Sequence, residues 1–221
     1  MIDDEKIKTI KEFAKKLRIN VLNTAYATRG KNAHLGGALS MCEILAVLFS
    51  KVMDISVKNF TSQNRDKFIL SKGHSVLSYY AALKELGFIT EEELLNYEGD
   101  NTFLFGHPVR NLNKGIEFST GSLGMGLSIG IGIALAKIHL KLENRVFVIL
   151  GDGECNEGSI WEGAMAASKF KLQNLKVIID KNNYQQTGST EEIMPNNNLG
   201  NKFAQFGWNV NEVDGHNIRD L

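Results

Sequence analysis

Two short polar segments stand directly behind two apolar runs, and together they are the strongest chemical signal in the chain. Gly151-Asp152-Gly153 follows Val146-Phe147-Val148-Ile149-Leu150, and Asn182-Asn183 follows Val177-Ile178-Ile179-Asp180. Thirty residues separate Asp152 from Asn182, enough for one helical crossover between two parallel strands. Such crossovers are right-handed, so both residues are expected at the same carboxyl edge of the sheet, where open α/β folds bind ligands. One carboxylate and one amide oxygen would then face one point. Two hard oxygen ligands that leave the remaining positions to water and phosphate oxygens suit Mg²⁺. Gly151 and Gly153 would let a diphosphate approach the backbone, and the helix that follows would aim its N-terminal N–H groups and dipole at the same anion. The plain alternative is an Asp-Gly turn and an Asn-Asn turn that only connect strands.

Other glycine patterns fit phosphate less well. Gly153 to Ser159 reads G-x-x-x-x-G-S without the lysine of a P-loop, and Ile129 stands where a G-x-G-x-x-G beginning at Gly124 needs glycine. Packing is the better reading of the 124–130 glycines. Three of the five histidines, His34, His74 and His107, lie in small-residue or glycine-rich segments. Loops place functional groups at clefts, and imidazole donates and accepts protons near neutral pH. Each could equally be a turn or cap residue. His139 reads as an exposed residue at a helix end, and His216 stays open.

The elements that must position these groups alternate. An N-terminal helix buries Ile7, Ile10, Phe13, Leu17 and Val21 at helical spacing. Ser40-Met41-Cys42-Glu43 has the form of a capping box that starts a second helix, and Thr90-Glu91-Glu92-Glu93 has the same form. Phe68-Ile69-Leu70 is a strand, 75–86 a helix closed by Gly87, and 99–120 a long irregular stretch of the kind that is often functional. A small-residue helix over 122–142 leads into a βαβαβ series: strand 146–150, a helix to about 170, strand 177–180, a helix near 201–206 and a strand over 208–213. Strands this apolar belong in a mostly parallel sheet covered by helices on both faces, an α/β fold.

Composition narrows the class. The 221 residues balance 25 Lys+Arg against 25 Asp+Glu, which offers no general attraction to nucleic acid or an anionic membrane. The first 31 residues carry eight basic and four acidic residues, read as a solvated helix face. At 43% hydrophobic, with only two prolines, the chain is expected to form one domain that hides roughly 70% of its unfolded surface. Cys42 and Cys155 are too few for a disulfide framework, and the start Met1-Ile2-Asp3-Asp4-Glu5 lacks the basic and apolar blocks of a secretory leader. Cytoplasm is the expected location. Residues 118–136 run uncharged for 19 positions, but nine are Gly, Ser or Thr, so a core helix is expected there, not a membrane span.

Taken in order, His34-Leu35-Gly36-Gly37, Ser71-Lys72-Gly73-His74, Phe105-Gly106-His107-Pro108, Ser119-Thr120-Gly121-Ser122-Leu123-Gly124-Met125-Gly126, Gly151-Asp152-Gly153 with Glu157-Gly158, and Asp180-Lys181-Asn182-Asn183 resemble the N-terminal half of transketolase. The GDG-to-Asn pair marks the wider thiamine diphosphate family; the histidine segments point to transketolase within it. The chain looks especially like the short N-terminal subunit of a split transketolase. The resemblance implies the three-layer thiamine diphosphate-binding fold, with residues 1–221 as one diphosphate-binding domain that is incomplete at its C-terminal end. It implies that Asp152, Asn182 and the Tyr184 carbonyl bind Mg²⁺ (or Ca²⁺ or Mn²⁺), and that Gly153 and Asn182 touch the diphosphate. His74 and Gly121-Ser122-Leu123 would bind thiamine diphosphate, His34 and His107 would contact the sugar's hydroxyls, and Glu157 would lie at a self-association contact.

The activity so implied is transfer of a two-carbon ketol unit from a ketose phosphate to an aldose phosphate, as in the pentose phosphate pathway, with His34, His74 and His107 as catalytic residues. Two departures stand out: Ala33-His34-Leu35-Gly36 replaces the family's Gly-His-Pro-Gly, and Ser122 replaces a common proline. The family's pyrimidine-binding domain supplies a glutamate that activates the cofactor, and no such domain is visible here, so a C-terminal partner subunit is expected. Relatives that share the metal motif, a 2-oxo acid dehydrogenase alpha subunit or a deoxyxylulose phosphate synthase, stay as alternatives, as does a non-catalytic binding partner.

Overall fold

Helix α1 (Asp4–Ala27) begins at Asp3, whose carboxylate accepts from the Glu5 N–H at 3.2 Å. It buries Ile7, Ile10, Ala14, Leu17 and Val21 along one stripe and leaves its lysines to solvent, each such apolar side chain contributing about 1–3 kcal/mol. The computed structural model describes residues 3–29 and 33–221; Met1 and Ile2 of the start read above, and Lys31 of the basic stretch, lie outside the described residues. They group into two compact units. The first takes the chain up to residue 62 with residues 73–121 and 213–221, and the second takes 63–72 and 122–212.

The first unit is helical. Its core sits where α1 meets α3 (Cys42–Val47) and α4 (Val76–Glu85), with α2 (Leu35–Leu39) and α5 (Glu91–Leu95) beside them. Val76 to Leu83 are all buried, so α4 is enclosed. Gly87, at φ 85°, ends the segment as its type predicts. The Thr90 capping box forms: Glu93 N–H donates to Thr90 Oγ1 at 3.1 Å, and Thr90 N–H donates to Glu93 Oε2 at 2.9 Å. The one expected at Ser40 does not. Ser40 is itself helical at the end of α2 and its hydroxyl donates to the Gly37 carbonyl, while Glu43 is taken by Arg18, whose Nε and Nη2 donate to its two oxygens at 3.0 and 2.5 Å. A charge-assisted fork outcompetes a neutral cap. His216 joins this pair, its Nδ1 3.0 Å from Glu43 Oε2.

The second unit holds the sheet, a parallel one in the order β1-β2-β3: β1 (Lys67–Leu70), β2 (Val146–Gly151) and β3 (Leu175–Asp180). Central β2 is buried at every position, but Val177, Ile178 and Ile179 of the edge strand β3 are only half-buried. Helices α6 (Met125–His139) and α7 (Gly158–Lys169) pack on one another, and α6 lies on the strands. Glycine sets that distance: a Cβ on Gly130 would lie 2.5 Å from Val148 Cγ2, and one on Gly163 would lie 3.1 Å from a Leu127 methyl. The packing reading of the 124–130 glycines therefore holds, and no helix among the described residues is long and apolar enough to cross a membrane.

After β3 come a two-residue hairpin, β4 (Tyr184–Gln185) with β5 (Gly188–Ser189), then α8 (Thr190–Ile193) and α9 (Leu199–Gln205). The strand expected over 208–213 is absent: that stretch pairs with no strand among the described residues. Alternating polarity makes a strand only where backbone groups find a ladder partner. Here Trp208 is drawn instead to α7, donating from Nε1 to the Ala164 carbonyl at 3.0 Å and packing edge-on to Phe203 at 5.6 Å, beside Trp161.

Two stability effects follow. Gly130→Ala is expected to cost about 1–3 kcal/mol by overpacking, whereas Gly132→Ala, whose Cβ would meet nothing within 4 Å, should be neutral or stabilising; urea midpoints of the two variants decide this. Burial pushes the Glu43 carboxyl up, but the hydrogen bonds from Arg18 and His216 outweigh it and hold it below the ordinary carboxylate range. A lowered acid contributes stability above its unfolded value and loses it as the pH falls through its folded value. Glu43→Gln should cost about 1 kcal/mol at neutral pH, a difference that shrinks in acid as the parent loses the same contact.

Candidate functional site

Register places the first group. β2 and β3 pair with Gly151 opposite Asp180, so the residues beyond both strands emerge at the same carboxyl edge. Asp152 is buried there, at 3% exposure. Its Oδ1 accepts from the Gly153 N–H at 3.0 Å and its Oδ2 from the Asn183 N–H at 2.8 Å, so the carboxylate itself ties the two strand ends together. Asn182 lies in that turn, and its Oδ1 accepts from the Tyr184 N–H at 2.9 Å; the Tyr184 ring is exposed. Gly153 is required by a close approach, since a Cβ would lie 2.7 Å from that of Gln185. Gln185 anchors the hairpin in turn, accepting from Asn156 Nδ2 at 3.1 Å and donating to the Met194 carbonyl at 3.0 Å.

Behind this edge sit three further buried charges. The Lys72 ammonium and the Asp180 carboxylate form an ion pair at 1% and 7% side-chain exposure. Glu154 accepts from the Ser71 hydroxyl, from Gly124 N–H at 2.8 Å and from Gly151 N–H at 3.0 Å. Burial raises the carboxyls of both Asp152 and Glu154, and the Asp180 charge adds to the effect on Asp152. Three buried carboxylates against one buried ammonium make this edge favourable for a cation. No group of three His, Cys, Asp or Glu gathers among the described residues to hold a metal by itself. A cation at Asp152 would therefore have to draw further donors from neighbouring amide and carbonyl oxygens, hard donors of the kind that match Mg²⁺. A cavity of about 320 Å³ opens at the edge, lined by Asp152, Lys181, Asn183, Ser189, Thr190 and Asn196 among others, within the size range of small-ligand sites.

The histidines form a second group, within the first unit. His34 stands immediately before α2 and is exposed; His74 lies in the 3₁₀ turn Gly73–Ser75 that leads into α4. Their rings meet edge to face, 5.7 Å between centroids. Gly73 lets its turn press against the chain at 120–121, where a Cβ would lie 3.0 Å from the Gly121 nitrogen. Gly121 in turn approaches His107, an added Cβ lying 3.0 Å from the His107 ring. His34, His74, His107 and Gly121 are thus neighbours in series. Ser122 and Leu123 follow in the second unit, just before α6. His139 is exposed at the end of α6, as read, and His216 belongs to the Arg18–Glu43 contact.

Sequence reasoning assigned no role to Ser71, Lys72, Glu154, Asp180 or Gln185. Polar residues at the ends of apolar strands were the available signal for the first four, and nothing local marked Gln185. Both thiols are buried, which pushes Cys42 up to about 12 and raises Cys155 as well, away from thiolate character.

A parallel sheet flanked by helices, with a buried carboxylate and an amide-bearing turn at the carboxyl ends of adjacent strands, defines an α/β protein, and that edge is where open α/β folds bind ligands. The family model described as "Transketolase, thiamine diphosphate binding domain" matches residues 10–221, and the chain belongs to this family. It is 39% identical over 204 residues to an apulose-4-phosphate transketolase subunit of Actinobacillus succinogenes, covering 92% of this chain and 73% of that protein. It is 42% identical over 188 residues to the 6-deoxy-6-sulfo-D-fructose transketolase subunit SqwG of a Clostridium species, covering 85% and 68%. Among solved structures, the transketolase of Campylobacter jejuni superposes with a TM-score of 0.85 at 28% identity, over 96% of this chain. The chain spans about a third of the length of the solved transketolases it matches.

Removing the Asp180 carboxylate would leave the Lys72 ammonium buried without it. Asp180→Ala is expected to cost about 3–5 kcal/mol, while Lys72→Met with Asp180→Leu together should recover most of the loss; thermal unfolding of the single and double variants reads the difference.

Proposed function

We propose that this chain is the diphosphate-binding subunit of a two-subunit transketolase, transferring a two-carbon ketol unit between sugar phosphates with thiamine diphosphate and Mg²⁺. The observation that carries the reading is the Asp152 carboxylate, buried at the end of β2 and bonded to the turn after β3. That arrangement offers a divalent ion one carboxylate oxygen together with the Asn182 amide oxygen and the Tyr184 carbonyl, and offers a diphosphate the backbone at Gly153 and the Asn182 side chain. His74 and Gly121-Ser122-Leu123 would hold the cofactor. When bound, thiamine diphosphate supplies the carbon nucleophile through which a ketol unit passes from donor to acceptor.

The protein's part is binding, orientation and proton movement. His34 and His107, both exposed on the first unit, would bond the sugar's hydroxyls and shuttle protons at its carbonyl oxygen, work for which imidazole is suited near neutral pH. Relatives that are themselves named as transketolase subunits support a second chain that completes the site. Self-association would run through the surface near Glu157, which is exposed.

The test is calorimetric titration of the chain with thiamine diphosphate and Mg²⁺, first by itself and then with its pyrimidine-binding subunit, followed by a ketol-transfer assay. Binding and turnover are expected only with the partner. Asp152→Ala should abolish Mg²⁺-dependent binding. His107→Ala should keep binding and lower kcat/KM for the ketose about 10²-fold or more. Ketol transfer by the purified chain without a partner, or no binding with the partner, would overturn the reading.

A further inference from the structure

Glu154 is buried at 2% exposure, and both of its carboxylate oxygens are taken by donors from three different places in the second unit. Gly124 N–H donates to Oε1 at 2.8 Å, Gly151 N–H donates to Oε2 at 3.0 Å, and the Ser71 hydroxyl donates to Oε1. Ser71 is itself committed: its Oγ accepts from the Gly126 N–H at 3.1 Å, which directs its proton to Glu154. Three segments therefore meet at one carboxylate, the end of β1, the turn before α6 and the end of β2, and Ser71 ties in the first turn of α6.

One further bond reaches the turn: the Ser159 hydroxyl donates to the Gly124 carbonyl at 3.0 Å. N–H groups at a helix start have no intrahelical partner, and here two of them, at Gly124 and Gly126, are satisfied by Glu154 and Ser71. Gly124 adopts φ 83°, a conformation that only glycine takes freely, and a Cβ there would lie 2.8 Å from that of Glu157. Gly126 lies so close to Ser71 that a Cβ would overlap its hydroxyl. With glycines at both positions the turn brings little side-chain packing of its own, so its place depends on the carboxylate, which holds its N–H groups directly and through Ser71, and on the Ser159 bond to the Gly124 carbonyl.

We infer that Glu154 is a positioning residue, fixing the 122–126 turn to the ends of β1 and β2 and thereby setting how tightly the Ser122-Leu123 part of that turn holds the cofactor. The inference rests on the cofactor reading above for its second half; the clamp itself does not. Nothing in it requires Glu154 to touch metal or cofactor, because its oxygens are already occupied.

Glu154→Gln keeps the shape but must set an amide N–H₂ against one of the backbone N–H donors, Glu154→Ala removes the whole clamp, and Ser71→Ala removes one arm. In the full chain assembled with its pyrimidine-binding subunit, Glu154→Gln is expected to raise amide exchange at 124–127 at least about tenfold, with the α1 and α4 amides unchanged. The apparent constant for thiamine diphosphate should rise about tenfold while kcat at saturating cofactor stays within about twofold; Ser71→Ala should fall between. Unchanged exchange, or an unchanged cofactor constant beside raised exchange, overturns the inference. So does a loss of kcat that parallels the loss of affinity with exchange raised throughout the second unit, which marks a merely structural role. If the Ala variant does not fold, Gln and Ser71→Ala carry the test. Failure of the unmodified assembly to bind would overturn the proposed function and the cofactor half of the inference, leaving exchange to judge the clamp.

Discussion

Backbone pairing between β2 and β3 sets Gly151 opposite Asp180, and from that register follow the positions of Asp152, Lys181, Asn182 and Asn183. A shift by one residue would turn every side chain of β2 to the other face and take Val148 away from its close fit against Gly130. The carboxylate then reinforces what the ladder began, since Asp152 accepts from both its own loop and the turn after β3. The group that would bind a cation is thus also a structural tie, and it is poised by that role before any ligand arrives.

Glycine and buried charge share the remaining work. Glycine at 126 and 130 brings α6 against the strands, and glycine at 153 brings the 184–185 hairpin against the Asp152 loop. Side chains at those positions would open the edge by the width of a methyl group or more. The space saved is filled with ions: Lys72 with Asp180, and Glu154 with Ser71 and two backbone N–H groups. Such clusters contribute little net stability because desolvation offsets their attraction. Their effect is specificity of place, and the excess of negative charge they leave at the edge is what a divalent ion would neutralise.

Particular residues show how far the sequence could be read. The GDG and Asn-Asn segments, the order of the three histidine segments, the Thr90 cap and the buried stripe of α1 all act through neighbours near in sequence or through regular periodicity, and these were legible. The Ser40 cap was misread because Arg18, 25 residues from Glu43, claimed that carboxylate. The 208–213 strand was misread because Trp208 found Ala164 and Phe203 instead of a strand edge. Glu154 and Asp180 went unassigned because their partners, Ser71 and Lys72, lie 83 and 108 residues away.

By itself the sequence determined most of the elements, the turns at Gly87 and Thr90 and the inventory of candidate ligands, since periodicity, glycine and short motifs are local properties of a chain. Its motifs also pointed to the family. Tertiary structure alone decided which buried charge meets which, that β3 is a half-exposed edge strand, that Asp152 bonds the Asn183 backbone, and that His34, His74, His107 and Gly121 stand in series. Those outcomes depend on competition among distant partners for a few donors and acceptors, and the winner is set by packing and desolvation, which no local pattern records.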